Sequence, residues 1–431
     1  QAGRLDRIIF LSAAADAFRR AGLAEEERSA LVVLDAELTS SGMAVPRAAA
    51  ALRRAENLAL CGAYKEASAL IAPLDQTVLS ASKLSSRWTL LSAECAIFLK
   101  KHKEGTDLLE KFVPATDAES VMKETLLAHS ERLRVTDSAA YAAEGLPRYE
   151  EHMKRASALL DPSLFGAKGI REDLVRSGLD FLVSFCMRKG DTRSAILYGE
   201  IRRQVSLWST TGSAYRIPLS AAASAAYASA KSAQSYTDAL AAYPELACEK
   251  RVLFSPLEAL QKKIPYGSAV LVVSKNEDDI FAWIIERESV QPVRVAGGYG
   301  KLASAVSDFE SAVRDMTPVS AAAASLNQLL APVIRPLNGK RVFIVADEFT
   351  EKIPFEILGS GKMLGRSGKL FYLASLAGSL GGFTEPAAAC AVIGGSALDA
   401  SGVRESGIVI GNRMNGIAHI ASGITAGRSG L

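Results

Sequence analysis

The side chains in this sequence best suited to nucleophilic or metal-dependent chemistry are five cysteines and four histidines. A thiol becomes a nucleophile where a base or cation stands beside it and draws off its proton. Cys390 opens one β-branched run and His419 lies in another, so a sheet joining those runs would bring them together. The plainer reading makes Cys390 a core residue and His419 structural. Cys248 sits beside Lys250 and Arg251, a setting that favours thiolate. Cys61, Cys95 and Cys186 fall in helical patterns among apolar neighbours and are expected to pack. The cysteines are odd in number and irregularly spaced, which argues against a disulfide framework. No paired cysteines occur and the histidines are scattered, so no metal site and no cofactor is predicted.

Glycine-rich segments offer no nucleotide site. Gly359-Ser360-Gly361-Lys362-Met363 has Glu356 where a phosphate loop needs its first glycine, and Met363 where it needs a hydroxyl. Gly297-Gly298-Tyr299-Gly300 lacks dinucleotide-loop spacing and reads as a turn. Gly365-Arg366-Ser367-Gly368-Lys369 breaks the nucleophile-elbow pattern at its last position.

The elements around these residues change character along the chain. Residues 1 to about 250 carry apolar positions at helical spacing, as at Leu5, Ile8, Ile9, Leu11 and Ala15, with few prolines. Breaks are expected at Gly22, Gly42 to Pro46, Gly62, Pro73, Pro114, Gly145 to Pro147, Gly166 and Gly190. One pattern recurs. Gly62-x-Tyr64-x-x-Ala67 is echoed by Lys100-x-His102-x-x-Gly105, Gly190-x-Thr192-x-x-Ala195 and Tyr236-x-x-Ala239. The region 136–158 supplies helices for a further unit. A turn followed by a small residue lets a second helix pack closely on the first, and the series resembles tetratricopeptide repeats without a strict period of ~34 residues. Beyond Val252 the period shortens. Ala269–Ser274 and Ile280–Ile285 read as a hairpin, and Pro292–Ala296 as a third strand. Helical spacing returns over Lys301–Met316 and Val319–Val333. Strands are then expected at Arg341–Ala346, Leu370–Leu373, Cys390–Ile393 and Gly416–Ser422, in a largely parallel sheet.

The segment Ile344-Val345-Ala346-Asp347-Glu348-Phe349-Thr350-Glu351-Lys352-Ile353-Pro354-Phe355-Glu356-Ile357-Leu358 resembles the strand and Pro-Phe-Glu-x-Leu element of CHAT domains, caspase-like modules found beside tetratricopeptide repeats. Leu329–Leu337 with Gly339-Lys340-Arg341, then Tyr372-Leu373-Ala374-Ser375-Leu376 and Val392-Ile393-Gly394-Gly395, are similar to neighbouring family segments in the same order. The resemblance implies a cysteine-peptidase fold with a His at one strand end and a Cys at the next. Ala418-His419-Ile420-Ala421-Ser422-Gly423 is similar to the His segment, with His419 at its first His and Gly423 where the catalytic His belongs. Twelve residues follow His419 (431−419 = 12), none of them Cys, and Cys390 precedes rather than follows the His strand. The dyad is therefore absent from this chain. Some relatives select basic residues, so the acidic loop Asp347, Glu348 and Glu351 is either an Arg- or Lys-accepting pocket or, by default, solvated.

The expected architecture is a tetratricopeptide-like helical repeat domain over 1–250, followed over 251–431 by a caspase-like α/β sandwich domain that is degenerate or truncated at its C-terminus. The expected function is a protein–protein interaction scaffold, with a protein or peptide partner on the helical repeats. The alternative is an active CHAT-family cysteine endopeptidase represented by an incomplete chain. Fifty Lys and Arg against 47 Asp and Glu leave +3, which gives no reason to expect a nucleic-acid partner. No run of ~18 apolar residues occurs, so no membrane span is expected and a cytoplasmic location is predicted. The start at Gln1 is equally compatible with a cleaved signal peptide or a trimmed segment.

Overall fold

The computed structural model describes residues 2–376 apart from 21–22, 161–163, 165–169, most of 212–256, and 277, 296, 348, 360–363, 365–369 and 374–375. The expected strands at Cys390–Ile393 and Gly416–Ser422, and Tyr236 of the fourth repeat copy, lie outside the described residues. So does the neighbourhood of residue 250, where the helical pattern was expected to give way to α/β. The chain divides into two compact units, Gln1–Gly178 and Leu179–Leu431, and the division falls within a helix, Glu172–Arg188.

The first unit is built of antiparallel helix neighbours: α1 (Ala2–Arg20) with α2 (Ala24–Ser41), α3 (Ala44–Leu60) with α4 (Tyr64–Ile71), α6 (Ser85–Phe98) with α7 (His102–Lys111), and α8 (Asp117–Asp137) with α9 (Ala142–Leu159). A short α5 (Gln76–Ala81) lies between the second and third pairs. Side-chain caps set the starts of α5 and α8. Asp75 accepts from the Thr77 N–H, and Thr116 accepts from the Glu119 N–H while Glu119 accepts in return from the Ala115 N–H.

One turn is reused. After α3, Gly62 takes φ +77°, its N–H donates to Ala59 O, and the Ala63 N–H reaches back to Leu58 O at 2.9 Å. After α6, Lys100 takes φ +64° with the Lys101 N–H on Ala96 O at 2.9 Å. The helix in which the division falls, α10 (Glu172–Arg188), ends in the same way before α11 (Thr192–Thr211): Gly190 takes φ +75° and the Asp191 N–H meets Cys186 O at 2.9 Å. Each is a left-handed residue closing a helix by satisfying its last carbonyls. Five residues later comes the small residue: Ala67, Gly105 and Ala195, each the fourth residue of its helix. Ala67 and Ala195 are fully buried. A β-carbon on Gly105 would stand 2.6 Å from Ile97 Cγ1 and 3.0 Å from Ala93 O, so only glycine permits that approach.

The fourth position of α9 is Gly145, which corrects the expected break at Gly145 to Pro147. The helix runs through both residues, with Pro147 inside it. The break lies upstream, at Ser138 and the 3-10 turn Ala139–Tyr141. Gly145 is there for closeness, since a β-carbon would lie 2.7 Å from both Tyr141 Cε1 and Val135 Cγ2.

In the second unit, β1 (Ser268–Asn276), β2 (Asp279–Ile285), β3 (Val290–Val295), β4 (Arg341–Val345) and β5 (Leu370–Leu373) form one sheet in the order β3-β2-β1-β4-β5. The expected hairpin is present, with Val272 opposite Trp283. The expected largely parallel sheet is corrected: β1–β2 and β2–β3 are antiparallel, β1–β4 and β4–β5 parallel. Short connections fold the first three strands back as a meander, whereas α13 (Gly298–Arg314) and α14 (Ser320–Ile334) form the crossover that a parallel neighbour requires. A short α12 (Leu257–Lys263) precedes β1.

Alternation along the strands divides the two faces. Ala269, Leu271, Val273, Ile280, Ala282, Ile284, Val342 and Ile344 face α13 and α14, packing with Leu302, Val306, Leu326, Leu330 and Val333. Phe355 is fully buried in this core. Near the opposite face runs α11, where a β-carbon on Gly199 would stand 3.8 Å from Trp283 Cη2, in ordinary contact. Both faces being covered, β1 is buried at almost every position, and its central run Ala269–Val273 is wholly apolar.

Candidate functional site

His419, Gly423, Cys390 and Cys248 lie outside the described residues, as does Glu348 of the acidic loop. Asp347 is placed, and it corrects the expectation of a solvated loop, because it is almost fully buried at the end of β4. Its Oδ1 accepts from the Thr350 N–H at 2.8 Å, the Thr350 hydroxyl at 2.7 Å and the Phe349 N–H at 3.2 Å. Its Oδ2 accepts from the Lys275 N–H at 2.6 Å. An aspartate that closes its own turn in this way needs the local donors that follow it in sequence. The basic group near it belongs to this chain: Arg202 Nη1 stands 3.8 Å from Asp347 Oδ2. Arg203 donates to Ala346 O at 3.1 Å and pairs with Glu200 at 2.7 Å. Helix α11 thus carries two arginines to the carboxyl ends of β1 and β4, and the acid is engaged internally.

The cysteines divide differently from expectation. Cys95 and Cys186 are buried as expected, and burial pushes the Cys95 thiol up to about 12, so neither is poised to react. Cys61 is exposed at the end of α3, where Arg28 Nη2 donates to its sulfur at 2.9 Å. It corrects the packing expectation because the helix ends at that residue and turns its last position outward.

The three described histidines each lie near an oxygen of a neighbouring residue. His129 is buried in α8 with Nε2 2.9 Å from Leu174 O, and burial lowers it to about 4. His152 Nδ1 is 2.7 Å from Glu124, and His102 Nε2 3.5 Å from Asp137. Among the described residues no group of three or more His, Cys, Asp or Glu could hold a metal, and no helix is long and apolar enough to cross a membrane.

The helical unit offers a surface that the sequence reading missed. A cleft of about 930 Å³ is lined by Lys100, Lys101, Lys103, Lys111, Arg134 and His102, with Glu104, Asp107 and the half-buried Leu108. The reused turn positions it. Lys100 and Lys101 are the turn residues after α6, and His102 and Lys103 begin α7. Thr106 of α7 meets Ser130 of α8 at 3.3 Å, which sets α8 with its Arg134 as the opposing wall. The available signal was the run Lys100-Lys101-His102-Lys103, which stood in the sequence as a weak repeat copy.

Beneath the same pairs lies a buried charge cluster. Glu94 of α6 pairs with Arg171, which also forks onto Asp173 at 2.7 and 2.8 Å. Desolvation raises the Glu94 carboxyl to about 7 against the pull of Arg171. Tyr64 stacks on Phe98 at 4.6 Å, and burial with the nearby Glu94 charge raises its phenol to about 12. A second network ties the first three helices: Glu27 is reached by Arg19, Arg53 and Asn57, and Glu56 by Arg19 and Arg87. Glu27 is the fourth residue of α2, the position that is Ala or Gly in the later pairs. No family model matches the chain, and no curated protein matches it.

Proposed function

We propose that this chain is a protein-interaction scaffold, in which helix pairs of tetratricopeptide type present the binding surface and a caspase-like unit of CHAT type carries no His–Cys dyad within these 431 residues. The observation that carries the reading is the reused turn. A left-handed residue followed five positions later by a buried small residue recurs at Ala67, Gly105 and Ala195, and Gly145 holds the same fourth position in α9. Stacked pairs of this kind expose long surfaces to peptides or partner domains. The spacing of these small residues is uneven (105−67 = 38, 145−105 = 40, 195−145 = 50), which departs from the period of ~34 in the family. The buried Phe355 and the hairpin before β4 are compatible with the CHAT comparison.

The test is a peptide array probed with the whole chain and with Ala67→Leu. Overpacking at the fully buried Ala67 is expected to cost ~1–3 kcal/mol and to loosen the α3–α4 pair. Wild type should retain a defined set of peptides and the variant should lose part of it. Neither protein should cleave the retained peptides in a thiol-dependent way. Retention of no peptide at all, or Cys-dependent cleavage of the retained ones, would end this reading.

A further inference from the structure

We infer that the cleft between α7 and the C-terminal half of α8 binds an extended acidic peptide segment whose two carboxylates are four residues apart. The inference rests on the reading of the helical pairs as a peptide-binding surface and names the chemistry of the partner. The cleft carries five Lys and Arg against two carboxylates, a surplus of three that equals the net charge of the whole chain. Part of this charge is answered from within: Lys100 pairs with Asp137 at 2.8 Å, Lys101 with Glu104 at 3.5 Å and Arg134 with Glu131 at 3.3 Å. Lys103 and Lys111, both exposed, make no ion pair among the described residues.

Their spacing selects the ligand. Eight residues of helix at ~1.5 Å each put the two lysines about 12 Å apart along α7. An extended chain advances ~3.3 Å per residue and returns to the same side every second residue, so acids at i and i+4 span about 13 Å on one face. Asp107 lies between the lysines, which excludes an acid from the middle of the segment. Leu108 beside it favours an apolar residue there. Lys101, in the N-cap position of α7, supplies no acceptor to the first-turn N–H groups, so the positive end of the helix faces the same cleft.

The experiment uses the full chain and a fluorescein-labelled peptide, Gly-Ser-Glu-Ala-Leu-Ala-Glu-Ser-Gly, read by fluorescence polarisation at low salt. Its counterpart has Gln at both acidic positions. Wild type should bind the Glu peptide at least about tenfold more tightly than the Gln peptide, and added salt should weaken that binding. Lys103→Glu with Lys111→Glu should weaken it by about tenfold or more, while Lys65→Glu with Lys83→Glu, outside the cleft, should not. If the reversed pair fails to fold by circular dichroism, Lys103→Gln with Lys111→Gln replaces it, with about a fivefold loss expected. Equal binding by the cleft variant, equal weakening by the control pair, or tighter lysine-dependent binding of an oligothymidine of similar length would overturn the inference. Wild type that binds neither peptide also overturns it. The scaffold reading is judged separately, because peptides of other composition retained on the array would keep it standing.

Discussion

The helical unit and the sheet unit bury their apolar residues in different ways. In the first, small clusters follow one another along the chain: Ala15, Leu31, Leu34 and Leu38 among α1 and α2, then Leu52, Ala55, Ala67 and Leu79 among α3 to α5, then Ile97, Leu109, Met122 and Leu126 among α6 to α8. In the second, one cluster runs from Ala269 to Leu364 and takes in three strands of the hairpin sheet, β4, both crossover helices and Phe355. Contacts between sequence neighbours can loosen one pair at a time, whereas a shared core is lost together. The largest test of this difference is Phe355→Ala. Removing a fully buried ring should cost about 3–5 kcal/mol. Hydrogen exchange should then show protection lost across β1, β2 and β4 at once, with α3 to α8 unchanged. Loss confined to 350–358 would show that the sheet core is not one cooperative piece.

The next effect lies in pH and concerns the helical unit alone. His129 is buried neutral, its pKa lowered from 6.5 to about 4, chiefly by desolvation. Between those values the unfolded chain binds a proton that the folded one refuses, so stability falls as pH falls from 6.5 toward 4. Glu94 has the opposite sign. Desolvation raises it from 4.5 to about 7, so the folded chain holds a proton that the unfolded one releases, and stability falls as pH rises through that window. Each shift corresponds to roughly 3 kcal/mol over its full range. In the shared interval the two slopes oppose, and wild type should be nearly flat. Glu94→Gln should tilt stability upward with pH and His129→Gln should tilt it downward, as read by urea denaturation followed through exchange of α6 and α8 amides. Parallel slopes in both variants would mean that neither group sets the pH response.

How much of this was legible in the sequence follows the same division. The strands of the sheet were readable because β-branched runs such as Ala-Val-Leu-Val-Val have no competing pattern. Beyond the hairpin their directions were not, since an apolar run has no polarity, and the antiparallel pairing of β3 with β2 went unseen. The repeated turn was readable from Gly62, Tyr64 and Ala67, which lie within six residues of one another. Gly145 misled because a glycine needed for close approach and one needed for a turn are the same letter. Burial of Asp347 was hidden because the helix that reaches its strand end is far upstream, Arg203 meeting Ala346 from 143 residues away. The cleft was hidden in another way: Lys103 and Lys111 acquire their meaning only when α8 supplies the facing wall.

The smallest expected effect is also the cleanest, because it isolates the backbone term in the reused turn. Gly62 and Lys100 occupy equivalent left-handed positions, φ +77° and +64°, one filled by the residue that tolerates it and the other not. A β-carbon on Gly62 would meet nothing within 4 Å, so Gly62→Ala adds no clash and loses no contact. Its cost should be the conformational term alone, ~1 kcal/mol. Lys100→Gly should return a similar amount, reduced by the small contribution of its exposed ion pair with Asp137. The two variants should therefore move the melting midpoint in opposite directions, downward for Gly62→Ala by the larger step and upward for Lys100→Gly by the smaller. If Lys100→Gly instead destabilises, the Lys100–Asp137 pair outweighs the strain. The α6–α7 turn would then be held by its charges rather than by the backbone geometry it shares with α3–α4.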